Sequence, residues 1–408
     1  MLKFLADRQT GLDDPLVMRR AETTRRSYAL DLSKRRDFEV VHLGCINSID
    51  IDPVESRYLL SGSSDGSVAV HDLENFTGDV KYTSKSVCFA GRGSRYRHKR
   101  TVETVIWYPL DTGMFISSGT DKLLKVWDTN TLVPADEFEF SGIVYCHAMS
   151  PVATKHCLIS VACQSSTLKL VDLKSGSATH TLKGHKSSVF CTKWSTRDEF
   201  LLASGGQDNQ VLMWDIRSAK GALKSLDQYN GKTADNHYTA NTAHSGHVNG
   251  MTFTSDGLHL VTFGRDDRIR LWNVASGKNT MVNYGKVNND WKKNIDIGIT
   301  QGCSPDILFV PNGTNIEMLD IFRGTQIDIL RGHYKCVNCC ITHPHYQELY
   351  SGGSDRNILV WTPDTETAYE DYLKDKHDAD KEQVARIAGV VAQSIFATAD
   401  TWSSDEDS

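Results

Sequence analysis

Five histidines keep the same company along this chain. His42, His98, His185, His244 and His333 each stand 22 or 23 residues before an aspartate: Asp65, Asp121, Asp208, Asp266 and Asp355. Four residues before each aspartate comes a hydroxyl side chain, Ser61, Ser117, Ser204, Thr262 or Ser351, and six after it an aromatic, His71, Trp127, Trp214, Trp272 or Trp361. Histidine, hydroxyl and carboxylate are the parts of a nucleophilic catalytic site. They are also the parts of a buried relay in which carboxylate, imidazole, hydroxyl and indole N–H satisfy one another inside an apolar sheet. An active site occurs once and this set occurs five times, so the relay is the expectation and no catalytic residue is assigned. His247 lies nearer to the fourth aspartate, in a Gly-His pair, but the register selects His244. No GxSxG, HExxH, phosphate-loop or EF-hand spacing occurs in a supporting context. No metal or cofactor is expected, and the Asp266–Asp267 pair reads as turn residues. Cys336, Cys339 and Cys340 form a CVNCC cluster that could be read as CxxC chemistry; buried small hydrophobes in a strand is the preferred reading, since no second pair lies nearby.

The elements that carry these residues repeat. SGSSDGSVAVHD, SSGTDKLLKVWD, SGGQDNQVLMWD, TFGRDDRIRLWN and SGGSDRNILVWT superimpose, each a turn followed by a strand. A period of about 40–45 residues with short β-rich runs is the signature of propeller blades. The strand-end positions Asp128 and Asp215, and then Asn273 and Thr362, leave two gaps, each about two periods long. A degenerate blade is therefore expected in each, at LKLVDLKSG (Asp172) and NIEMLDIFRG (Asp320). The fold class predicted is all-β, a seven-bladed propeller over residues 37–362. Blade seven ends without an outer strand, so EVVHLG, residues 39–44, is expected to complete it and pair its open edge. Over residues 38–362 the pattern resembles the WD-repeat family.

Composition bounds the rest. The chain has 408 residues, 39% hydrophobic and 24% charged, with a formal charge of −6, an ordinary soluble composition with no net drive toward nucleic acid or anionic membrane. No apolar run reaches the ~20 residues a spanning helix needs, and no signal peptide opens the chain. Ten cysteines without framework spacing suit a reducing cytosol or nucleus. Charge is uneven: residues 1–36 hold nine bases against five acids, and residues 363–408 hold twelve acids against four bases. A head, residues 1–36, and an acidic tail, residues 363–408, thus flank a near-neutral propeller.

Function must then come from departures from the repeat. Two residues past each blade's terminal position stand Glu74, Asn130, Lys174, Arg217, Ala275, Phe322 and Asp364, so only blade four completes WDxR. A guanidinium there offers five donors to a partner's carboxylate or carbonyl. The head is not needed to close the ring. Asp14 and Pro15 form an N-cap and N1 pair starting a helix to about Arg26. Leu2, Phe4, Leu5, Leu16, Val17 and Met18 give the head apolar faces, which dock either on the propeller or in a partner's groove.

Together these features resemble the WD-repeat receptors that bring substrates to cullin-4 ubiquitin ligases. The segments RQTGLDDP, YPLDTGMF, DKLLKVWDTNTL, FTSDGLHL, NYGKV and WSSDED carry a further likeness, through nearly the whole chain, to the Cockayne syndrome group A family. That resemblance implies a nuclear, non-catalytic substrate receptor in transcription-coupled nucleotide excision repair. The implied partners are the large subunit of the damage-specific DNA-binding protein (the adaptor), cullin-4 and its RING subunit, the Cockayne syndrome group B ATPase and RNA polymerase II. Trp214, Asp215 and Arg217, with Leu2, Phe4, Leu5, Arg8, Leu12, Pro15 and Leu16 of the head, are the implied adaptor contacts. Residues 364–399 depart from the family, and an amphipathic helix of unassigned use is expected there.

Two long loops lie on what should be the opposite face. RGSRYRHKR carries Arg92, Arg95 and Arg97, and YGKVNNDWKKN sets Trp291 beside Lys292 and Lys293. Aromatic and basic side chains together stack on a nucleobase or grip an acidic protein, although a solvated loop is the commoner explanation for such a cluster. The near-neutral body favours a protein ligand; the alternative is a scaffold in RNA or chromatin assembly that binds nucleic acid through these loops. In the tail, Ser403 and Ser404 precede acids, a setting for acid-directed phosphorylation in an otherwise disordered segment.

Overall fold

The computed structural model describes residues 8–11, 14–75, 82–218, 221–231, 242–291 and 293–364. Seven sheets follow one another as blades, the innermost strand of each running first. Blades one to four begin at Ile46, Val102, Val144 and Val189, and blades five to seven at Val248, Gly298 and Val337. The two degenerate stretches fold as full four-stranded blades, Val144–Lys183 and Gly298–Arg331. Seven apolar clusters fill the seven joints between neighbouring blades. At the joint of blades three and four, for example, Leu168 and Leu170 meet Leu202, Leu212 and Trp214. The third strands supply much of this: Val211–Trp214 is buried on both faces because each blade is covered by two neighbours.

Ring closure differs from the sequence expectation. Residues 39–44 form no strand. A helix α1 (Pro15–Tyr28) leads directly into β1 (Leu30–Leu32), and β1 is the outer strand of blade seven, beside Ile358–Pro363. A second head strand, β2 (Arg36–Phe38), pairs in parallel with Tyr82–Ser84 of blade one. The head segment therefore enters the ring at residue 30 and staples blade seven to blade one. Leu30 explains the choice, since it is buried among Ile316, Leu330 and Trp361, whereas Val40 and Leu43 of residues 39–44 are half or more exposed.

Four relays form as the spacing predicts. In blade four, His185 Nδ1 meets Asp208 at 3.0 Å, His185 Nε2 meets Ser204 Oγ at 2.7 Å, and Trp214 Nε1 donates to Ser204 Oγ at 2.8 Å. The same chain links Asp121, His98, Ser117 and Trp127, and Asp355, His333, Ser351 and Trp361. In blade five it links Asp266, His244, Thr262 and Trp272, with Arg270 added against both Asp266 and His244. These four imidazoles are wholly buried, out of reach of any substrate. Blade one departs. Ser67 stands between Asp65 and His42, bonding Asp65 Oδ1 on one side and His42 Nδ1, at 2.7 Å, on the other. His42 still meets Ser61 Oγ at 2.8 Å, but His71, in the tryptophan's place, has no hydrogen-bond partner on either nitrogen.

The ten cysteines are all free thiols. Cys339 and Cys340 are buried strand residues, and burial pushes the Cys340 thiol up to about 12.

Candidate partner-binding face

Alternation of antiparallel strands gives the propeller two ends. Turns after the first and third strands of each blade share one end; turns after the second strand, with blade-to-blade connections, share the other. Arg217 follows the third strand of blade four, Val211–Asp215, and so lies at the first end. So does α1, whose Thr24 Oγ1 accepts from Ser304 N at 2.9 Å and whose Ser27 Oγ lies 3.4 Å from Cys303 Sγ, in the first turn of blade six.

Asp215 builds the arginine's position. Its carboxylate accepts from the backbone N of Arg217 at 2.9 Å, from Nε at 3.0 Å and from Nη2 at 2.7 Å. The arginine holds the Asp215 carboxyl below its usual range, chiefly through these side-chain bonds. The guanidinium carbon lies 4.5 Å from the centre of the Phe200 ring, with Lys155 Nζ over the same ring at 5.3 Å. Lys155 is tied to Glu199 at 3.1 Å. Arg217 nevertheless stays 58% exposed. It is a pre-oriented donor, held by one acid and one ring, on the edge of a groove of about 700 Å³ with apolar walls at Val152, Leu258 and Val274. Trp214, by contrast, is buried and touches no such surface. Phe200 and Lys155 carried no signal in the sequence, because they sit in variable turns outside the repeated set.

Helix α1 is capped as predicted, Asp14 Oδ1 accepting from Leu16 N at 2.8 Å, and runs two residues past Arg26. Glu22 ties Arg25 and Arg26 at 2.8–2.9 Å. The head's apolar side chains divide. The last turn docks on the propeller, with Ser27 buried, while Leu16 (67%), Val17 (62%) and Met18 (40%) stay exposed in the first. Arg8 and Pro15 are exposed too. Leu2, Phe4, Leu5 and Leu12 lie outside the described residues, as do Lys292, Ser403, Ser404 and residues 365–408.

The basic loops occupy the other end, and much of their charge is already engaged. Arg97 Nη1 donates to the Asp65 carbonyl at 3.2 Å. Arg95 stacks over Tyr96 and bonds its hydroxyl. Lys293 pairs with Glu103 at 3.0 Å, and Trp291, half-buried, packs on the joint of blades five and six rather than standing free to stack. Arg92 is exposed.

Residues 176–215, 237–273 and 324–362 match the WD domain, G-beta repeat family, covering the relay-bearing strands of blades four, five and seven. The chain is a WD-repeat propeller. It is 33% identical to WD repeat-containing protein ATCSA-1 of Arabidopsis thaliana across 94% of this chain and 99% of that protein, and it belongs to the same family. Shorter likenesses run to Radiation-sensitive protein 28 of Saccharomyces cerevisiae, 25% identical over 43% of this chain and 38% of that protein, and to the Ribosome biogenesis protein WDR12 homolog of Drosophila erecta, 28% identical over 47% and 45%.

Proposed function

We propose that this chain is the substrate-recognition subunit of a nuclear cullin-4 RING ubiquitin ligase acting in transcription-coupled nucleotide excision repair. The observation that carries the reading is the coincidence on one end of the ring of a pre-oriented, exposed arginine and an exposed apolar helix start, both outside what the repeat requires. Arg217, Asp215 and the head bind the adaptor, the large subunit of the damage-specific DNA-binding protein; Phe200 and Lys155 shape the same groove. Trp214 acts indirectly, by fixing the strand. The opposite end presents the target, with the Cockayne syndrome group B ATPase and RNA polymerase II among the proteins met there. Full-length likeness to ATCSA-1 supports the family assignment, and partial likeness to a protein named for radiation sensitivity supports a role in DNA damage. The ring brings substrate and conjugating machinery together, so its contribution is proximity.

A pull-down tests this. Wild type should recover the adaptor; deleting residues 1–20 together with Arg217→Ala should abolish recovery while the propeller stays folded. Undiminished recovery by that variant overturns the reading. A steep salt dependence of propeller binding to RNA or DNA would instead favour a nucleic-acid scaffold, although Arg97 and Lys293 are committed to internal partners.

A further inference from the structure

Six of the seven innermost strands carry a bulge one residue after their start, at Asn47, Glu103, Tyr145, Phe190, Asn249 and Asn338. Bulges re-aim a side chain, and these six sit at equivalent places around the mouth of the central channel, at the end away from α1. The ring they form has two unlike halves. The asparagines are architectural. Asn338 Nδ2 donates to the Ile46 carbonyl at 2.6 Å, Asn47 Nδ2 to the Val102 carbonyl at 2.7 Å, and Asn249 Nδ2 to Asn289 and the Trp291 carbonyl at 3.0 Å. Each ties its blade to a neighbour or to a crossing loop.

Among the described residues, the side chains of the other half make no hydrogen bond to a neighbouring blade, and Glu103 meets the crossing loop through an ion pair instead. Glu103 cannot donate, and the blade-to-blade bond at its position comes from Thr104 instead, to the Tyr145 carbonyl at 3.1 Å. Tyr145 and Phe190 pack edge to face, their ring centres 5.0 Å apart. Glu103 is the charged member of the ring, its side chain 4% exposed, and it is answered by one cation, Lys293 Nζ, which reaches one carboxylate oxygen at 3.0 Å from a loop 190 residues away. Lys293 itself is 41% exposed. Burial and Lys293 pull the Glu103 carboxyl in opposite directions, and burial prevails, raising it.

A buried carboxylate on one blade, with a tyrosine on the next that is itself packed on Phe190, is the chemistry of a seat for an organic cation. We propose that this half of the channel mouth binds an arginine side chain presented by a partner protein, and that Lys293 is an internal stand-in which the arginine displaces. Arginine fits better than lysine, because its planar fork can engage both carboxylate oxygens where the ammonium of Lys293 takes one, and it stacks on tyrosine. The cost is the Lys293–Glu103 pair, which the incoming guanidinium replaces at the same buried carboxylate while the ammonium of Lys293, already 41% exposed, returns to solvent.

The test uses the full chain and two probes, an acetylated and amidated Gly-Ser-Arg-Gly-Ser peptide and its twin with citrulline, which keeps the shape and loses the charge. Saturation transfer to the side-chain methylenes suits weak binding. Wild type should prefer the arginine peptide. Lys293→Ala empties the seat and should tighten arginine binding about tenfold with citrulline unchanged; Glu103→Gln should erase the preference and Tyr145→Ala weaken it. If Lys293→Ala binds the two peptides equally, the ion pair is structural and the proposal falls, and the same follows if Glu103→Gln keeps the arginine preference. Lys293 lies at the opposite end from Arg217, so adaptor capture by Lys293→Ala should match wild type and the two readings fail separately.

Discussion

The joint between blades three and four and the joint between blades seven and one solve one problem in two ways. The first is filled from within the repeat. Trp214 is 1% exposed, wedged among Leu168, Leu170, Leu202 and Leu212, with its N–H held by Ser204. At the second, the tryptophan position holds His71, whose smaller ring leaves space and whose nitrogens find no partner, although the Glu39 carbonyl is near enough to ease its burial. The head fills that space. Phe38 packs edge-on against both His71, at 5.2 Å, and Tyr350, at 5.9 Å. Arg36, 5% exposed, reaches Ser84, Glu348, Tyr350 and the Leu73 carbonyl, with its guanidinium near the rings of Phe38, Tyr82 and Tyr350. The closing joint is thus held by residues from outside the repeat. The degenerate repeat and the additional strand belong to one arrangement, and the segment that closes the ring is continuous with the helix offered to a partner.

Three measurements break or sharpen this contrast. Trp214→Ala should cost the most, roughly 4 kcal/mol by urea unfolding, because a large cavity opens in a joint that has nothing else to fill it. Arg36→Ala should cost about 3 kcal/mol, since it leaves buried Tyr350 and half-buried Glu348 without their cation; limited proteolysis should then cut between α1 and blade one sooner than in wild type. If Arg36→Ala unfolds with the wild-type midpoint, the head is not the clasp described.

The smallest effect is on pH dependence. Burial holds both His42 and His71 down at about 4, below the 6.5 of an unfolded chain. The unfolded state therefore takes up these protons first. The stabilising contribution is complete above about pH 6.5 and is lost as pH falls toward 4. Each histidine should cost about 2 kcal/mol of stability between pH 7 and pH 5. His71→Leu removes two unpartnered nitrogens and one titration, so its unfolding midpoint should be at or above wild type at pH 7 and should fall less on acidification. An unchanged pH slope would show that His71 is already charged or solvated.

Much of this was legible in the sequence. The His–Ser–Asp–Trp register located four relays to the residue, including His244 over His247, because a satisfied buried network tolerates no shift. Arg217 stood out as a break in the repeat, and Asp14–Pro15 marked the start of α1. Closure was misplaced because EVVHLG precedes blade one as HTLKGH precedes blade four, while Leu30–Leu32 is too short to be recognised before its burial against Trp361 is known. Arg36, inside the run Lys34-Arg35-Arg36, reads as solvated charge. Phe200 and Lys155, beneath and beside Arg217, lie in turns that obey no period.

By itself, then, the sequence determined what repeats, namely the blade number and the residues of four relays, and which arginine breaks the repeat. Periodic burial and buried hydrogen bonding are local demands, and they leave a local signature. The tertiary structure alone decided what meets only when the ring closes: which head strand completes blade seven, how Arg36 and Phe38 fill the joint beside His71, and how Asp215 and Phe200 aim Arg217. Asp215 is two positions from Arg217, within the WDxR spacing, but the other contacts join residues from more than ten to hundreds of positions apart, and nothing in their spacing marks them in advance.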